Sequence, residues 1–198
     1  MPTEGVMRLS SGRPADDGFT IIEVMVALAL ISTVMAALGT YFVSSTRTSR
    51  YQAQIQTATR LAQSGMEAAR GFGGPTLLVG RAQCGGCTDV SGFDSLGYLS
   101  DTVRWDAPVA AVTATVPLPD VAEITSVNGV SYYRYYFVGR CWQAAGGGRC
   151  GVNDALPAAM IRLVVGVAWR SPDCRDAVCI RAATSLFSAD PSDPVFAQ

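Results

Sequence analysis

From Val24 to Val43 the chain runs twenty residues without a charged side chain. At 1.5 Å per residue such a run forms a helix of roughly 30 Å, the thickness of the hydrocarbon core of a bilayer. Apolar positions then continue at helical spacing. Tyr51, Ile55, Ala58, Ala62, Gly65 and Ala69 step by four, three, four, three and four, Leu61 and Met66 widen the stripe, and Gln, Thr and Arg hold the opposite face. No proline interrupts residues 19–70, so the pattern predicts one helix of about 52 residues, roughly 78 Å long. Gly71, Gly73, Gly74 and Pro75 stop it. The division within that helix is an expectation too: residues 19–43 span a membrane or pack among like helices, and residues 44–70 cover a domain of their own.

The period changes after the glycines. A short strand is expected at Thr76–Val79, another at Val103–Trp105, and a third at Val112–Leu118, closed by Pro117 and Pro119. Ala122–Val127, Asn128-Gly129 and Val130–Val138 read as a hairpin, because Asn-Gly supplies the positive φ angles of a type I′ turn. Tyr132, Tyr133, Tyr135 and Tyr136 flank Arg134 in its second strand, a pattern of sheet packing rather than of a ligand platform. Met160–Arg170 places Ile161, Leu163, Val165, Val167 and Trp169 on one side, and Val178–Ser188 is a further β-rich run. The fold class is therefore α+β, a long N-terminal helix packed by its second half on an antiparallel sheet.

Gly18-Phe19-Thr20-Ile21-Ile22-Glu23 precedes the apolar run, with Glu23 as its lone acid. A secretory signal sequence places its apolar stretch before the cleavage site, whereas here the residues before Gly18 are polar, so the oily helix stays with the product. An acid at the end of an apolar span costs up to roughly 2.5–3.5 kcal/mol near a helix centre, and less toward the end. The helix macrodipole offsets about 0.3–1 kcal/mol of that at an exposed N-terminus.

This arrangement is similar to the cleavage and methylation signature of type IV prepilins and pseudopilins. The resemblance covers residues 18 to about 43. It implies cleavage between Gly18 and Phe19 by a prepilin peptidase on the cytoplasmic side, N-methylation of the new Phe19 amine, and a role for Glu23 as the assembly acid, paired with a neighbouring subunit's Phe19 amine. Residues 1–18 are then a leader, 19–43 the transmembrane and assembly helix, 44–70 its amphipathic continuation, and 71–198 a disulfide-stapled, β-rich extracytoplasmic domain. Arg8 and Arg13 before the span balance Arg47 and Arg50 after it, so charge does not orient the helix; the resemblance implies a cytoplasmic N-terminus. More loosely, the order of the Asn-Gly hairpin, the Tyr-rich strand, Cys141-Trp142 and the 160–170 strand resembles minor prepilins of the pilus-modification type.

Composition narrows the chemistry. The net charge of −1 argues against a nucleic-acid partner, and loss of residues 1–18 removes two of fifteen arginines and three of sixteen acids, leaving the two signs equal. The sequence has no histidine, which excludes Ser-His-Asp and Cys-His sites and His-ligated metals. It also has no lysine, which excludes a P-loop lysine, a Schiff base and an isopeptide crosslink, so any polymer it joins is non-covalent. No cofactor or metal is expected.

Cys84, Cys87, Cys141, Cys150, Cys174 and Cys179 make an even set beyond the membrane anchor, and they read as disulfides because that side is oxidising. Six cysteines allow 15 pairings. Each adjacent pair lies in one connection, so our working assignment is 84 with 87, 141 with 150 and 174 with 179, each loop contributing roughly 2–3 kcal/mol in the chain-entropy model. Cys84-Gly-Gly-Cys87 also admits a thioredoxin-like or zinc reading, but it lacks the helical context of the first and the second C-x-x-C of the second.

The leading function is a structural subunit, a minor pilin or pseudopilin of a type IV pilus or related secretion or DNA-uptake filament. Its partners are prepilin peptidase, other pilin subunits, an inner-membrane assembly platform and membrane lipid. The alternatives are an uncleaved, membrane-anchored binding domain and an enzyme working through Cys84 and Cys87.

Overall fold

The computed structural model describes residues 18–85, 87, 90, 92–94, 97–109 and 116–190. The leader expected at residues 1–18 falls, up to residue 17, outside the described residues, as do 112–115 of the third expected strand and the tail from 191. The chain divides into two units, one ending at Thr48 and the other beginning at Ser49.

In the first unit, helix α1 begins at Ile21; it runs unbroken to Arg70 in the second. Every residue from Ile21 to Thr48 is exposed. Its hydroxyls are turned inward: Ser32 donates to the Leu28 carbonyl at 2.7 Å, Thr33 to Leu30 at 2.8 Å and Thr40 to Ala37 at 2.8 Å. A hydroxyl satisfied by its own helix is tolerated in an apolar environment. Among the described residues, α1 is the one helix long and apolar enough to cross a membrane.

In the second unit, seven strands follow among the described residues. They are β1 (Arg81–Ala82), β2 (Val103–Arg104), β3 (Ala107–Pro108), β4 (Glu123–Val127), β5 (Val130–Gln143), β6 (Ala158–Arg170) and β7 (Val178–Ser188). β5, β6 and β7 form an antiparallel meander, β2 and β4 pair with successive stretches of β5, and β1 pairs with β3 in a separate ribbon. The hairpin joins Val127 to Val130 through Asn128 at φ 51° and Gly129 at φ 78°, the left-handed pair its sequence calls for.

The alternation in β6 sorts the sheet into two faces. Ile161, Leu163, Val165, Val167 and Trp169 are all fully buried on the face that carries Tyr132, Tyr136 and Val138. The 51–69 stripe of α1 covers that face: Ala58 and Ala62 pack with Tyr132, Val167 and Trp169, and Met66 and Ala69 with Val138, Ile161, Leu163 and Phe187. Small residues let the helix approach closely, while Trp169 Nε1 donates to Gln54 and Arg134 reaches the Leu61 carbonyl at 3.2 Å and Ser64 Oγ at 3.0 Å.

The opposite face packs against Val90, Phe93 and Leu99, with Phe137 and Val164 beneath. Two strand glycines make room for that cover. A Cβ on Gly139 would lie 2.0 Å from Thr102 Oγ1, and one on Gly166 would lie 2.2 Å from Phe93 Cδ1.

Two expectations are corrected. Thr76–Val79 is not a strand: Pro75–Leu78 forms a 3₁₀ turn, with Leu77 N–H donating to Gly74 at 3.0 Å and Val79 N–H to Thr76 at 3.0 Å. Pro75 presets its φ for the first turn, which outweighs the β preference of the residues after it. Of the strand expected at Val112–Leu118, the described part from Val116 to Leu118 is irregular, and Leu118 serves the core as a single buried side chain.

Candidate functional site

Gly18, Phe19 and Thr20 lie outside the helix, and Phe19 is 81% exposed. Thr20 caps α1: its carbonyl accepts from Glu23 N–H at 3.1 Å and Val24 N–H at 3.2 Å, and its Oγ1 accepts from Glu23 N–H at 3.4 Å. Helices begin with N–H groups that lack partners, and a threonine here satisfies one of them. Sequence reading missed Thr20 as a participant. The signal was present in Thr20-Ile-Ile-Glu23, the Thr-x-x-Glu spacing of a capping box.

Glu23 stands on the third helical residue, exposed, and forms no ion pair with any described residue. Around it Ile21, Ile22, Val24, Met25 and Val26 present at least 46% of their surface each. An apolar surface of this extent marks a site that another apolar body covers. The geometry thus offers an accessible Gly18–Phe19 bond, a capped helix end and one unpaired carboxylate on an apolar cylinder.

The six cysteines come together as three disulfides. Cys84–Cys87, Cys141–Cys150 and Cys174–Cys179 have Cα separations of 5.6, 5.4 and 5.3 Å. The second closes the β5–β6 connection, where Trp142 and Gly151 exchange backbone hydrogen bonds of 2.7 and 3.0 Å. The third closes the β6–β7 connection, beside Tyr51 of α1.

The ionic groups of the sheet serve its architecture. Buried Arg81 donates to Asp106 at 3.2 Å and to the carbonyls of Tyr136, Leu118 and Pro119. Burial lowers the Arg81 pKa, and Asp106 and Asp120 oppose that shift. Asp106 also holds Arg104 and accepts from Val138 N–H at 2.6 Å. Glu123 accepts from Arg134 at 2.8 Å and from the Tyr136 hydroxyl at 2.9 Å. Burial above all pushes Tyr136 up to about 12; Arg134 opposes the shift and the Glu123 hydrogen bond and charge add to it. Among the described residues, no three His, Cys, Asp or Glu side chains gather as a metal site.

Residues 13–39 match the family model of the prokaryotic N-terminal methylation motif, the type IV prepilin-like signature. The matched span contains Gly18, Phe19, Thr20 and Glu23. No curated protein and no solved structure matches the chain.

Proposed function

We propose that the chain is a minor pilin or pseudopilin, a non-enzymatic subunit of a type IV pilus or a related type II secretion or DNA-uptake filament. The observation that carries this reading is the methylation motif at residues 13–39, seated on an accessible Gly18–Phe19 bond and an exposed apolar helix.

In this reading prepilin peptidase cuts after Gly18 and methylates the Phe19 amine. The residue 19–43 helix holds the subunit in the cytoplasmic membrane until an assembly platform extracts it. Within the fibre the same surface packs against neighbouring helices, and Glu23 meets the cationic amine of an adjacent Phe19 where water is excluded. A charge pair in such a place costs roughly 3–5 kcal/mol to break from one side, enough to bar a subunit that lacks the acid. The three disulfides and the β-domain favour an accessory over a bulk subunit, and scarcity in sheared fibres is the corresponding expectation.

Mass spectrometry of the mature N-terminus is the decisive experiment. N-methyl-Phe19 as the first residue is expected in cells with a working peptidase. Recovery of the chain with residues 1–18 still attached overturns the proposal and leaves an anchored binding domain instead. Glu23→Ala is expected to be cleaved and inserted normally yet to be missing from fibres; fibres holding normal amounts of the variant refute the pairing.

A further inference from the structure

Among the described residues, five arginines of the β-domain are at least partly buried, and three of them have carboxylates: Arg81 and Arg104 share Asp106, and Arg134 holds Glu123. Arg140 and Arg162 make no ion pair or hydrogen bond with any described residue, and the Nε of each is buried without an acceptor. A guanidinium partly removed from water with no anion beside it is an uncommon arrangement in a folded chain.

Arg140 is the more developed of the two. Its guanidinium carbon lies 5.4 Å from the ring centroid of Trp105 and 5.6 Å from that of Trp142. The register explains the grouping. Trp142 is two residues along β5 and therefore on the same face. Val103 pairs with Arg140, and Trp105 N–H donates to Val138 at 2.9 Å, which sets the second indole diagonally across on that face. Backbone pairing of Trp142 with Gly151 and the Cys141–Cys150 disulfide fix one indole, and Trp105 Nε1 donating to the Arg81 carbonyl at 3.0 Å fixes the other.

The two rings are attractive to the cation but contribute no acceptor. Arg140, Trp105 and Trp142 are each half-buried, and of the Arg140 nitrogens only Nε is both enclosed and without a partner. An arginine fork of this kind matches a carboxylate by two parallel hydrogen bonds. Whatever carries that carboxylate is delivered against indole surface, which suits the apolar C–H face of a sugar ring better than the single methylene of an acidic side chain.

We propose that Arg140, Trp105 and Trp142 form a binding site for a carboxylate-bearing sugar, with Arg140 taking the carboxylate and the indoles taking the ring. The site lies wholly in the β-domain and does not depend on how, or whether, the chain polymerises.

Galacturonate and galactose are suitable probes, since they share a ring and differ in a carboxylate against a hydroxymethyl group. The measurement is titration of the full-length protein in nanodiscs, read on the indole N–H resonances of its three tryptophans. Trp169, buried and bonded to Gln54, reports the fold. Galacturonate is expected to shift Trp105 and Trp142 but not Trp169, and to bind at least about tenfold tighter than galactose, with the preference shrinking as salt is raised. Arg140→Gln is expected to abolish the preference while Trp169 keeps its position. Arg162→Gln, on the opposite face of the sheet, is expected to preserve it. Equal binding of the two sugars, no shift with either, or tighter binding of a poly-glutamate peptide than of galacturonate overturns the assignment. If Arg140→Gln displaces the Trp169 resonance, Trp142→Leu is the substitute variant, and an unchanged galacturonate affinity in it counts against the site.

Discussion

Tyr136 turns a single hydroxyl into a pH dependence. Its proton is held more tightly in the folded chain, where the pKa stands at about 12, than in the unfolded chain at its ordinary 10.0. A raised tyrosine contributes stability that is complete below the unfolded value and is lost as pH climbs through the folded one. The denaturation midpoint is therefore expected to fall between pH 10 and 12, and more gently in Tyr136→Phe. Tyr132, shifted the same way by burial, supplies the remaining slope. Gly139 is a second residue whose effect can be stated in advance. Gly139→Ala drives a methyl into Thr102 and is expected to destabilise by about 1–3 kcal/mol in urea titration, as overpacking does. Gly146→Ala, with nothing within 4 Å of the added carbon, serves as its neutral control.

Among elements, α1 and the meander were readable because each repeats one rule many times. The stripe from Ala58 to Ala69 and the alternation from Ile161 to Trp169 declare their faces on every turn or every second residue. The expected bounds of β7 coincide with those observed, Val178–Ser188. What escaped was everything set by a partner far away in sequence. Nothing local distinguishes Asp106 as the residue that serves Arg81, Arg104 and Val138 at once, nor Gly166 as the seat for Phe93. Likewise Pro75 decided a turn that the Thr76–Val79 composition argued against. Ala62→Leu, on the buried stripe, is expected to lower stability by about 1–3 kcal/mol, whereas Ala68→Leu on the exposed side leaves the melting temperature essentially unchanged. Replacing both Cys141 and Cys150 by Ser is expected to lose roughly 2–3 kcal/mol of the loop-closure contribution, measured by the same denaturation curves under oxidising conditions.

At the scale of the molecule, the unit beginning at Ser49 holds every buried side chain among the described residues, and α1 before it holds none. A fragment beginning at Ser49 is therefore expected to remain soluble and monodisperse without detergent, whereas the full chain needs micelles or a bilayer. Gel filtration of the two checks this, and aggregation of the fragment would show that the N-terminal segment contributes to the β-domain's core. The candidate site was more legible than the domain. Gly18, Phe19 and Glu23 stand out by sequence because a solitary acid before twenty uncharged residues has few ordinary explanations. Arg140 does not stand out, because only folding brings Trp105 beside it.

The hydroxyls of Ser32, Thr33 and Thr40 all turn inward. Between Val24 and Thr40 they are the only polar side chains, and each spends its donor on its own backbone. Over that stretch the helix offers a companion its shape but no free hydroxyl donor. If the chain enters a fibre as proposed, the choice of neighbour would then fall to Glu23 and to the residues of the folded unit.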